Sequence, residues 1–228
     1  MMKATAHAPA NIAFVKYWGK RDGELRLPLN SSFSMNLSNC YTETTVEFDS
    51  ALEKDEVDIV DGTFSEHEKM RVSTHLDRIR GKAGIDTYAR VLTKNSFPKS
   101  TGIAASASGF AALTVAASTA SGLSLSEKEL SILARLGSGS ACRSIPDGFV
   151  EWEKGIDSAS SYAHSRYNSE YWNIIDTVVI VDQREKQMLS TGGMSDVFSS
   201  PFANTRIGVA EESLESIHEA FKTRDMRK

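Results

Sequence analysis

The 228-residue sequence is poor in cysteine, and it lacks both an excess of positive charge and any long apolar run. Its two cysteines, Cys40 and Cys142, are far apart and form no C-x-x-C or Cys/His spacing, which argues against a disulfide framework or a zinc site. Lys and Arg total 26 against 30 Asp and Glu, so no overall positive field is present to hold a polyanion. Nucleic acid is therefore not expected as a partner.

The sequence also lacks the signals of membrane or secreted proteins. Its most apolar stretch, from Phe110 to Ala117, is far shorter than the roughly 20 residues that cross a bilayer. The N-terminus has no apolar core of a secretory signal. With 40% hydrophobic and 25% charged residues, the composition is that of a globular protein. We expect a soluble, cytoplasmic protein without a membrane partner.

Alternating patterns predict an early sheet. β-branched and acidic residues alternate from Thr44 to Phe48 and from Val57 to Val60, which predicts two strands. Asp61-Gly62 then predicts a hairpin turn that returns through Thr63-Phe64. The apolar run from Asp176 to Asp182 predicts a buried strand later in the chain.

Three segments have helical periodicity. Apolar residues at helical spacing predict an amphipathic helix from Glu66 to Arg80, closed by Gly81. Ser126 and Glu129 form a capping box at the start of a second helix. A long helix is predicted from Ile207 to Phe221.

Small residues from Gly102 to Gly109 lead into an Ala-rich helix. Such residues let backbone N–H groups approach a phosphate at a helix start, where the helix dipole favours anions. Close packing of Ala and Gly against a sheet explains the same pattern equally well, and both interpretations stay open. The segment matches neither the P-loop nor the dinucleotide-binding motif.

Two further segments carry cations among small or aromatic residues. The segment from Gly137 to Ser144 combines flexible backbone and hydroxyls with Arg143, a combination suited to carboxylate or phosphate recognition. Taken alone, it is more typical of a glycine helix cap followed by a surface arginine. The segment from Pro9 to Asp22 places Lys16 and Lys20 beside aromatic residues, where their ammonium groups meet phosphates or solvent.

Taken together and in order, these segments resemble the diphosphomevalonate decarboxylases, the mevalonate-pathway family of the GHMP kinase superfamily. The family patterns found are A-P-x-N-I-A-x-x-K-Y-W-G-K-R-D, N-x-F-P-x-x-x-G-[IL]-A-x-S-A-x-G and G-S-G-S-A-C-R-S-x-x-G-G-F-V-E-W. The last pattern occurs with Pro146-Asp147 in place of its usual pair. The similarity includes Leu27 to Ser32 and the region of Gly193 and Met194.

The resemblance implies an α+β protein with the GHMP kinase fold. Residues 1–170 would form an N-terminal domain like ribosomal protein S5 domain 2, which binds ATP and substrate. Residues 171–228 would begin a ferredoxin-like C-terminal domain that is truncated. The family's general base is an Asp in a Phe-Asp-Ala-Gly-Pro-Asn-like segment, and none precedes Lys228. We therefore expect a fragment that lacks its base.

The activity implied by the resemblance is the ATP-dependent decarboxylation of (R)-5-diphosphomevalonate to isopentenyl diphosphate. The 3-hydroxyl is phosphorylated, and phosphate and CO2 then leave together. ATP and Mg2+ are the implied cofactors, with the ion bridging ATP phosphates rather than held by a protein metal site. A homodimer is also implied.

The resemblance assigns the site residues as well. Three are implied in catalysis: Ser106 orients the ATP γ-phosphate, Lys16 neutralises charge near the reacting hydroxyl, and Arg143 grips the carboxylate that is expelled. The nucleotide would be bordered by Ser106 with Asn95, Ser96 and Gly102. The residues expected to hold the substrate are Asn11, Tyr17, Trp18, Gly19, Lys20, Arg71, Ser138, Gly139, Ser140, Ala141, Cys142, Arg143 and Thr191.

Other functions stay open beside this one. Phosphomevalonate decarboxylases and mevalonate 3-kinases share the scaffold, and a chain without its base could bind ATP without turnover. A nucleic-acid module on the S5-like fold would need a basic face that this acidic sequence does not show.

Cys142 has no identifiable base as partner, so it is not expected to be a nucleophile. The five histidines lack ligand spacing and are predicted to be exposed or half-buried, whereas Trp152 and Trp172 are predicted in a core or interface.

Overall fold

The computed structural model describes residues 2–60, 62–97, 105–179, 193–194 and 197–227. These residues form a six-stranded sheet, a small two-stranded sheet and the helices that cover them. The strands are β1 (Met2–Val15), β2 (Lys20–Asp22), β3 (Leu27–Pro28), β4 (Ser32–Phe48), β5 (Glu56–Ile59), β6 (Ala89–Asn95), β7 (Phe149–Trp152) and β8 (Ala163–Tyr167). The α-helices are α1 (Glu66–Ala83), α2 (Ala105–Ala120), α3 (Glu127–Gly137) and α4 (Ala203–Thr223), and 3-10 helices span Gly139–Ser144 and Val197–Ser199.

Strand β4 organises the large sheet. The order is β5-β6-β4-β7-β8, and β1 also pairs with β4. The first part of β4 pairs with β7 and its second part with β6, both antiparallel, whereas β5 and β6 run parallel. The mixed arrangement of helices and a mostly antiparallel sheet confirms the predicted α+β class.

Alternation along β4 sends its side chains to two different cores. Val46 and Phe48 lie in a cluster with apolar residues of α1, α2 and α3. Phe33 and Met35, on the other face, lie in a cluster with Phe221 of α4. Full burial of one such side chain contributes about 1.5–3 kcal/mol. The sheet is therefore covered by α1–α3 on one face and by α4 on the other.

The predicted strands before α1 are confirmed, but the predicted hairpin is wrong. Thr44 to Phe48 lies within β4, and Val57 to Val60 overlaps β5. No strand follows at 63–64; instead, Ser65 caps α1 in a capping box. The reason is that β5 pairs in parallel with β6, and parallel neighbours need a crossover, which α1 supplies. Asp61 lies outside the described residues.

All three predicted helices are present, and one of them, α1, ends at a later residue than predicted. α1 continues past Gly81 to Ala83 and ends at Gly84, whose φ of 67° is the left-handed conformation that terminates a helix. The capping box at the start of α3 is confirmed. The predicted long C-terminal helix is confirmed as α4. No helix among the described residues is long and apolar enough to cross a membrane.

The predicted strand from Asp176 to Asp182 is wrong over its described part, 176–179. These residues form no strand, and Val179 is 77% exposed. No described strand lies beside them, so their apolar side chains have no sheet on which to be buried. Residues 180–182 lie outside the described part.

Three further side chains test the predicted burial. Trp152 is fully buried, as predicted, and Trp172 is half-buried with its ring centroid 5.1 Å from that of Phe221. The prediction for His75 is wrong, because this residue is fully buried on the inner face of α1. There its Nε2 lies 2.8 Å from Thr114 Oγ1, a partner that the sequence pattern did not reveal.

Candidate active site

A buried arginine lies at the centre of the site. Arg143, on the 3-10 helix Gly139–Ser144, is 4% exposed. Its guanidinium donates hydrogen bonds to Ser32 Oγ (2.7 Å), Ser34 Oγ (3.1 Å) and Asn11 Oδ1 (3.1 Å). All three acceptors are neutral, and no carboxylate pairs with Arg143 among the described residues. Burial lowers the pKa of Arg143, so an anionic ligand would compensate a charge that no carboxylate of the described residues offsets.

Asn11 ties β1 to the 3-10 helix. Besides accepting from Arg143, its Nδ2 donates to Ser144 Oγ (2.7 Å) and to the Ser140 carbonyl (3.2 Å). Asn11 lies beside a register shift in the β1–β4 pairing, between Pro9 and Asn11. Its hydrogen-bonding groups are thus used within the protein, and it holds the loop and the guanidinium in place.

Tyr17 packs against the start of the 3-10 helix, at Gly139. Tyr17 is 4% exposed, and its ring centroid lies 4.6 Å from that of Trp152. A Cβ on Gly139 would come within 2.6 Å of Tyr17 Cε1, so the close approach requires glycine. Burial raises the pKa of the Tyr17 phenol, whose hydroxyl has no hydrogen-bond partner in the described part of the chain. A bound ligand could satisfy this neutral donor.

Three cations lie near the end of α3. Arg26 Nε donates to the Leu136 carbonyl (2.9 Å), and Arg71 Nη2 donates to the next carbonyl, that of Gly137 (3.2 Å). Burial, followed by the charges of Arg26 and Arg71, lowers the pKa of Lys20. Arg71 also lies over Phe110, with its Cζ 4.9 Å from the ring centroid. This concentration of positive charge is suited to a polyphosphate.

The end of β1 is held by a residue from α4. Arg206 donates to the carbonyls of Lys16 (3.0 Å) and Trp18 (3.0 Å) and to Asn30 Oδ1 (3.2 Å). The Lys16 side chain is exposed, and its Nζ lies 6.0 Å from the Trp18 ring centroid. Gly19 follows with a φ of 94°, a conformation that favours glycine.

A cavity of about 340 Å³ opens beside this segment. Its lining residues are Trp18, Gly193, Val197, Ser200, Phe202, Ala203 and Arg206. Trp18 therefore connects the predicted substrate residues to a space bordered by the start of α4.

The predicted nucleotide residues lie at the end of β6 and the start of α2. Ser106 is exposed in the first turn of α2. Thr42 Oγ1 lies 2.7 Å from both Asn95 Oδ1 and Ser108 Oγ, which joins the two elements. Ser96 Oγ donates to the Asn39 carbonyl (2.9 Å). Gly102 lies outside the described residues.

The remaining predicted substrate residues belong to the 3-10 helix and its start. Cys142 is fully buried, burial raises its pKa to about 12, and its Sγ lies 3.0 Å from the Gly139 carbonyl. This environment agrees with the expectation that Cys142 is not a nucleophile. Ser138 and Ala141 are also buried, and the Ala141 N–H donates to the Ser138 carbonyl (2.8 Å). Thr191 lies outside the described part of the chain.

Acidic and histidine side chains meet on the sheet face under α4. Ligand atoms of Glu151, Glu153 and His164 all lie within 4.8 Å of one another, a geometry that could hold a metal ion. However, Arg166 Nε lies 3.2 Å and His218 Nε2 lies 3.0 Å from Glu151 Oε2. The Arg166 cation competes with a metal ion for this carboxylate.

The structure thus brings together several residues that the resemblance assigned and adds others. Asn11 is hydrogen-bonded to both Arg143 and Ser140, whereas no hydrogen bond among described residues joins Ser106 to them. The residues that sequence reasoning missed are Arg26, Asn30, Ser32, Ser34 and Arg206. Those from Asn30 to Ser32 lie in a segment noted for its similarity but given no role, and Arg26 directly precedes that segment. Arg206 had no local signal.

Comparisons with known proteins give a consistent result. Residues 8–163 match the family model of the diphosphomevalonate decarboxylase-like N-terminal domain. A diphosphomevalonate decarboxylase from Ganoderma lucidum is 38% identical over 243 residues, covering 98% of this chain and 60% of the relative. The chain thus spans about 60% of the length of that relative.

Solved structures of mevalonate diphosphate decarboxylases also resemble this chain. Mevalonate diphosphate decarboxylase from Staphylococcus aureus is 38% identical, with a TM-score of 0.89 over 98% of this chain and 68% of that one. A structure of MDDEF in complex with MVAPP, AMPPCP and magnesium is also 38% identical, with a TM-score of 0.89, and is covered to 69%.

Proposed function

The chain belongs to the diphosphomevalonate decarboxylase-like family, and from this premise we propose that it serves in the ATP-dependent decarboxylation of (R)-5-diphosphomevalonate to isopentenyl diphosphate. Its fold is the GHMP kinase fold of that family. We also propose that the chain divides into two domains between residues 170 and 171, that the protein forms a homodimer and that it is located in the cytoplasm. Sedimentation analysis of the purified protein tests the homodimer.

The observation on which the proposal depends is the buried Arg143, whose hydrogen-bond partners among the described residues are all neutral. A decarboxylation needs a cation that holds the carboxylate in a site shielded from water until CO2 leaves. Arg143 is positively charged and almost fully enclosed, and its hydrogen bonds go to two hydroxyls and an amide. A carboxylate would pair with it more strongly than these neutral groups do.

The other groups divide the remaining work. Lys20 and Arg71, near Gly137, would bind the diphosphate, and the Tyr17 hydroxyl would donate to the substrate. Lys16 would neutralise charge at the reacting hydroxyl. These roles need cations and neutral donors, which are the groups found there.

ATP fits the start of α2. Ser106 is exposed in the first turn, where unpaired backbone N–H groups favour phosphate, and the Thr42 hydroxyl joins Asn95 to this helix. Ser106 would orient the γ-phosphate, with Asn95, Ser96 and Gly102 along the nucleotide. Mg2+, when bound with ATP, supplies positive charge that offsets the phosphate oxygens.

The test is to incubate the protein with ATP, Mg2+ and each of mevalonate, 5-phosphomevalonate and 5-diphosphomevalonate. ADP, phosphate, CO2 and isopentenyl diphosphate are then quantified. Where the protein assayed includes the family's general base, we expect all four products from the diphosphate alone, and Ser106→Ala to lower their rate far more than it weakens ATP binding. Thr119→Ala, at an exposed position near the other end of α2, is the comparison variant for general effects on this helix.

The other outcomes identify the alternatives. ADP without CO2 would indicate a mevalonate 3-kinase, and CO2 from the monophosphate a phosphomevalonate decarboxylase. ATP binding without ADP release would indicate a binding protein without turnover. Any of these three results contradicts the proposal.

A further inference from the structure

Arg26 has an unusual backbone conformation beside the site. It lies between β2 and β3, and its φ of 51° is in the left-handed region that a long side chain rarely adopts. Such a conformation persists where the surroundings hold it, and it occurs often at functional sites. None of the motifs discussed above gives this residue a role.

Its guanidinium is held next to that of Arg71. Arg26 donates to the carbonyl of Leu136 and Arg71 to that of Gly137, two consecutive carbonyls at the end of α3. The C-terminal end of a helix carries partial negative charge, which favours cations there. Two arginines from different parts of the chain are therefore fixed side by side, immediately before Ser138 and Gly139.

Glu68 partly offsets the charge of Arg71, but no carboxylate among the described residues does so for Arg26. Only its Nε has a hydrogen-bond partner in the described part of the chain, so both terminal nitrogens are available as donors. Burial, followed by the charge of Arg71, lowers the pKa of Arg26, and no carboxylate counteracts this. Lys20 likewise has no ion-pair partner among the described residues.

The position of Arg26 links it to residues already assigned to the substrate. Burial raises the pKa of Tyr17 and the Arg26 charge acts next, lowering it, while burial followed by the same charge lowers the pKa of Lys20. The three cations Lys20, Arg26 and Arg71 thus crowd one another at the end of a helix. A ligand with many negative oxygens would remove this repulsion.

We propose that Arg26 is a third cation of the diphosphate pocket, beside Lys20 and Arg71, and that it selects a 5-diphosphate over a 5-monophosphate. The inference rests on the proposed function. A diphosphate has more negative charge and more acceptor oxygens than a monophosphate, so it can use a further guanidinium that a monophosphate leaves unpaired.

The experiment measures binding by calorimetry, so that it does not depend on turnover. The wild type, Arg26→Leu and Arg26→Lys are titrated with 5-diphosphomevalonate and with 5-phosphomevalonate. We expect Arg26→Leu to weaken diphosphate binding about ten-fold or more, the size of a lost charge-assisted hydrogen bond, and monophosphate binding less than about three-fold. Arg26→Lys keeps the charge without the planar fork, and its loss should be intermediate.

The control variant is Arg90→Leu, which removes an exposed arginine whose partner is Glu56 on the neighbouring strand. It should leave both affinities unchanged. Thermal melting of each variant establishes that the fold is intact. If Arg26→Leu does not fold, Arg26→Lys decides: a loss of at least about three-fold for the diphosphate alone supports the inference, and unchanged binding overturns it.

The remaining outcomes separate this inference from the function on which it rests. If the wild type binds the diphosphate and Arg26→Leu binds it equally well, the inference fails and the proposed function is unaffected. If the variant weakens both ligands equally, Arg26 is not selective, and the inference fails again. If the wild type binds neither ligand, the proposed function fails and the inference with it.

Discussion

The guanidinium of Arg206 donates a 3.0 Å hydrogen bond to the main-chain carbonyl of Trp18. The same guanidinium reaches the Lys16 carbonyl and Asn30 Oδ1. A helix late in the chain thus fixes the segment after β1 that carries two predicted substrate residues and one predicted catalytic lysine. Arg206 acts through these residues, which makes it a positioning residue.

We predict that Arg206→Leu weakens 5-diphosphomevalonate binding about ten-fold, because the segment from Lys16 to Trp18 loses two main-chain hydrogen bonds and Asn30 loses a third. ATP affinity should stay within about two-fold, since the nucleotide residues lie on β6 and α2. Arg206→Lys should restore part of the loss. Lys222→Leu, on the same helix with an exposed side chain, is the control. Equal losses for ATP and substrate would contradict a positioning role.

The second prediction concerns the Arg143 cluster. Arg143→Ala removes the cation and leaves Asn11 Oδ1, Ser32 Oγ and Ser34 Oγ without their donor. We expect turnover to fall about 10²-fold or more, the size of a lost electrostatic contact in a transition state. ATP binding should change little. Arg143→Lys should recover little, because one ammonium group cannot reproduce the guanidinium geometry. Turnover above about a tenth of the wild-type rate would remove Arg143 from the mechanism.

The third prediction concerns the contact between Gly139 and Tyr17. A methyl group on Gly139 would lie 2.6 Å from Tyr17 Cε1 and 2.9 Å from its Oη. Gly139→Ala should therefore destabilise the protein by about 1–3 kcal/mol and weaken substrate binding. Gly81→Ala, where the new methyl meets no atom within 4 Å, should instead be neutral or stabilise α1 by up to about 1 kcal/mol. Urea unfolding compares the two variants, and equal midpoints would show that the Tyr17 contact is not rigid.

Local signals in the sequence predicted local structure well. The capping box at Ser126 and the periodicity that ends at Phe221 depend on residues close in the chain, and α3 and α4 follow them. The predictions failed where structure depends on a distant partner. The hairpin after Val60 is absent because β6, encoded beyond α1, pairs with β5 in parallel. The run beginning at Asp176 has no described neighbouring strand.

The candidate site shows the same division. The resemblance of motifs identified Arg143 and Asn11, since each lies in a segment with a distinctive pattern. It did not reveal Ser32 and Ser34, which reach Arg143 only because alternate residues of β4 face the 3-10 helix. Arg206 reaches Trp18 across 188 positions of sequence, so no local pattern could indicate it.

A fourth prediction follows from the burial of His75. Burial lowers its pKa to about 3 in the folded protein, whereas an unfolded histidine has a pKa of about 6.5. Between these values the unfolded state binds more protons, so stability falls as the pH is lowered from about 6.5 towards 3. The titration of His75 alone should change the free energy of unfolding by up to about 1.4 kcal/mol per pH unit.

His75→Gln should remove the contribution of His75 to the pH dependence of stability. His67 is exposed, so His67→Gln should leave this pH dependence unchanged. Glutamine keeps a donor for Thr114 without a group that titrates in this range. Urea unfolding at several pH values gives the free energy of unfolding for each variant. Parallel curves for the wild type and His75→Gln would contradict the prediction.

The last prediction tests whether α4 and the sheet unfold together. Phe221 is fully buried, and its ring makes edge-to-face contacts with Phe33 and Phe149, at centroid distances of 4.9 and 4.8 Å. Phe221→Ala should lower the free energy of unfolding by about 3–5 kcal/mol, because it removes a large side chain and leaves a cavity. Val209→Ala, on the same helix with the valine 53% exposed, should cost less than about 0.5 kcal/mol. If the helix is part of one cooperative unit, Phe221→Ala shifts the whole unfolding transition without splitting it. A separate early transition in the variant would show instead that α4 detaches while the sheet and α1–α3 stay folded.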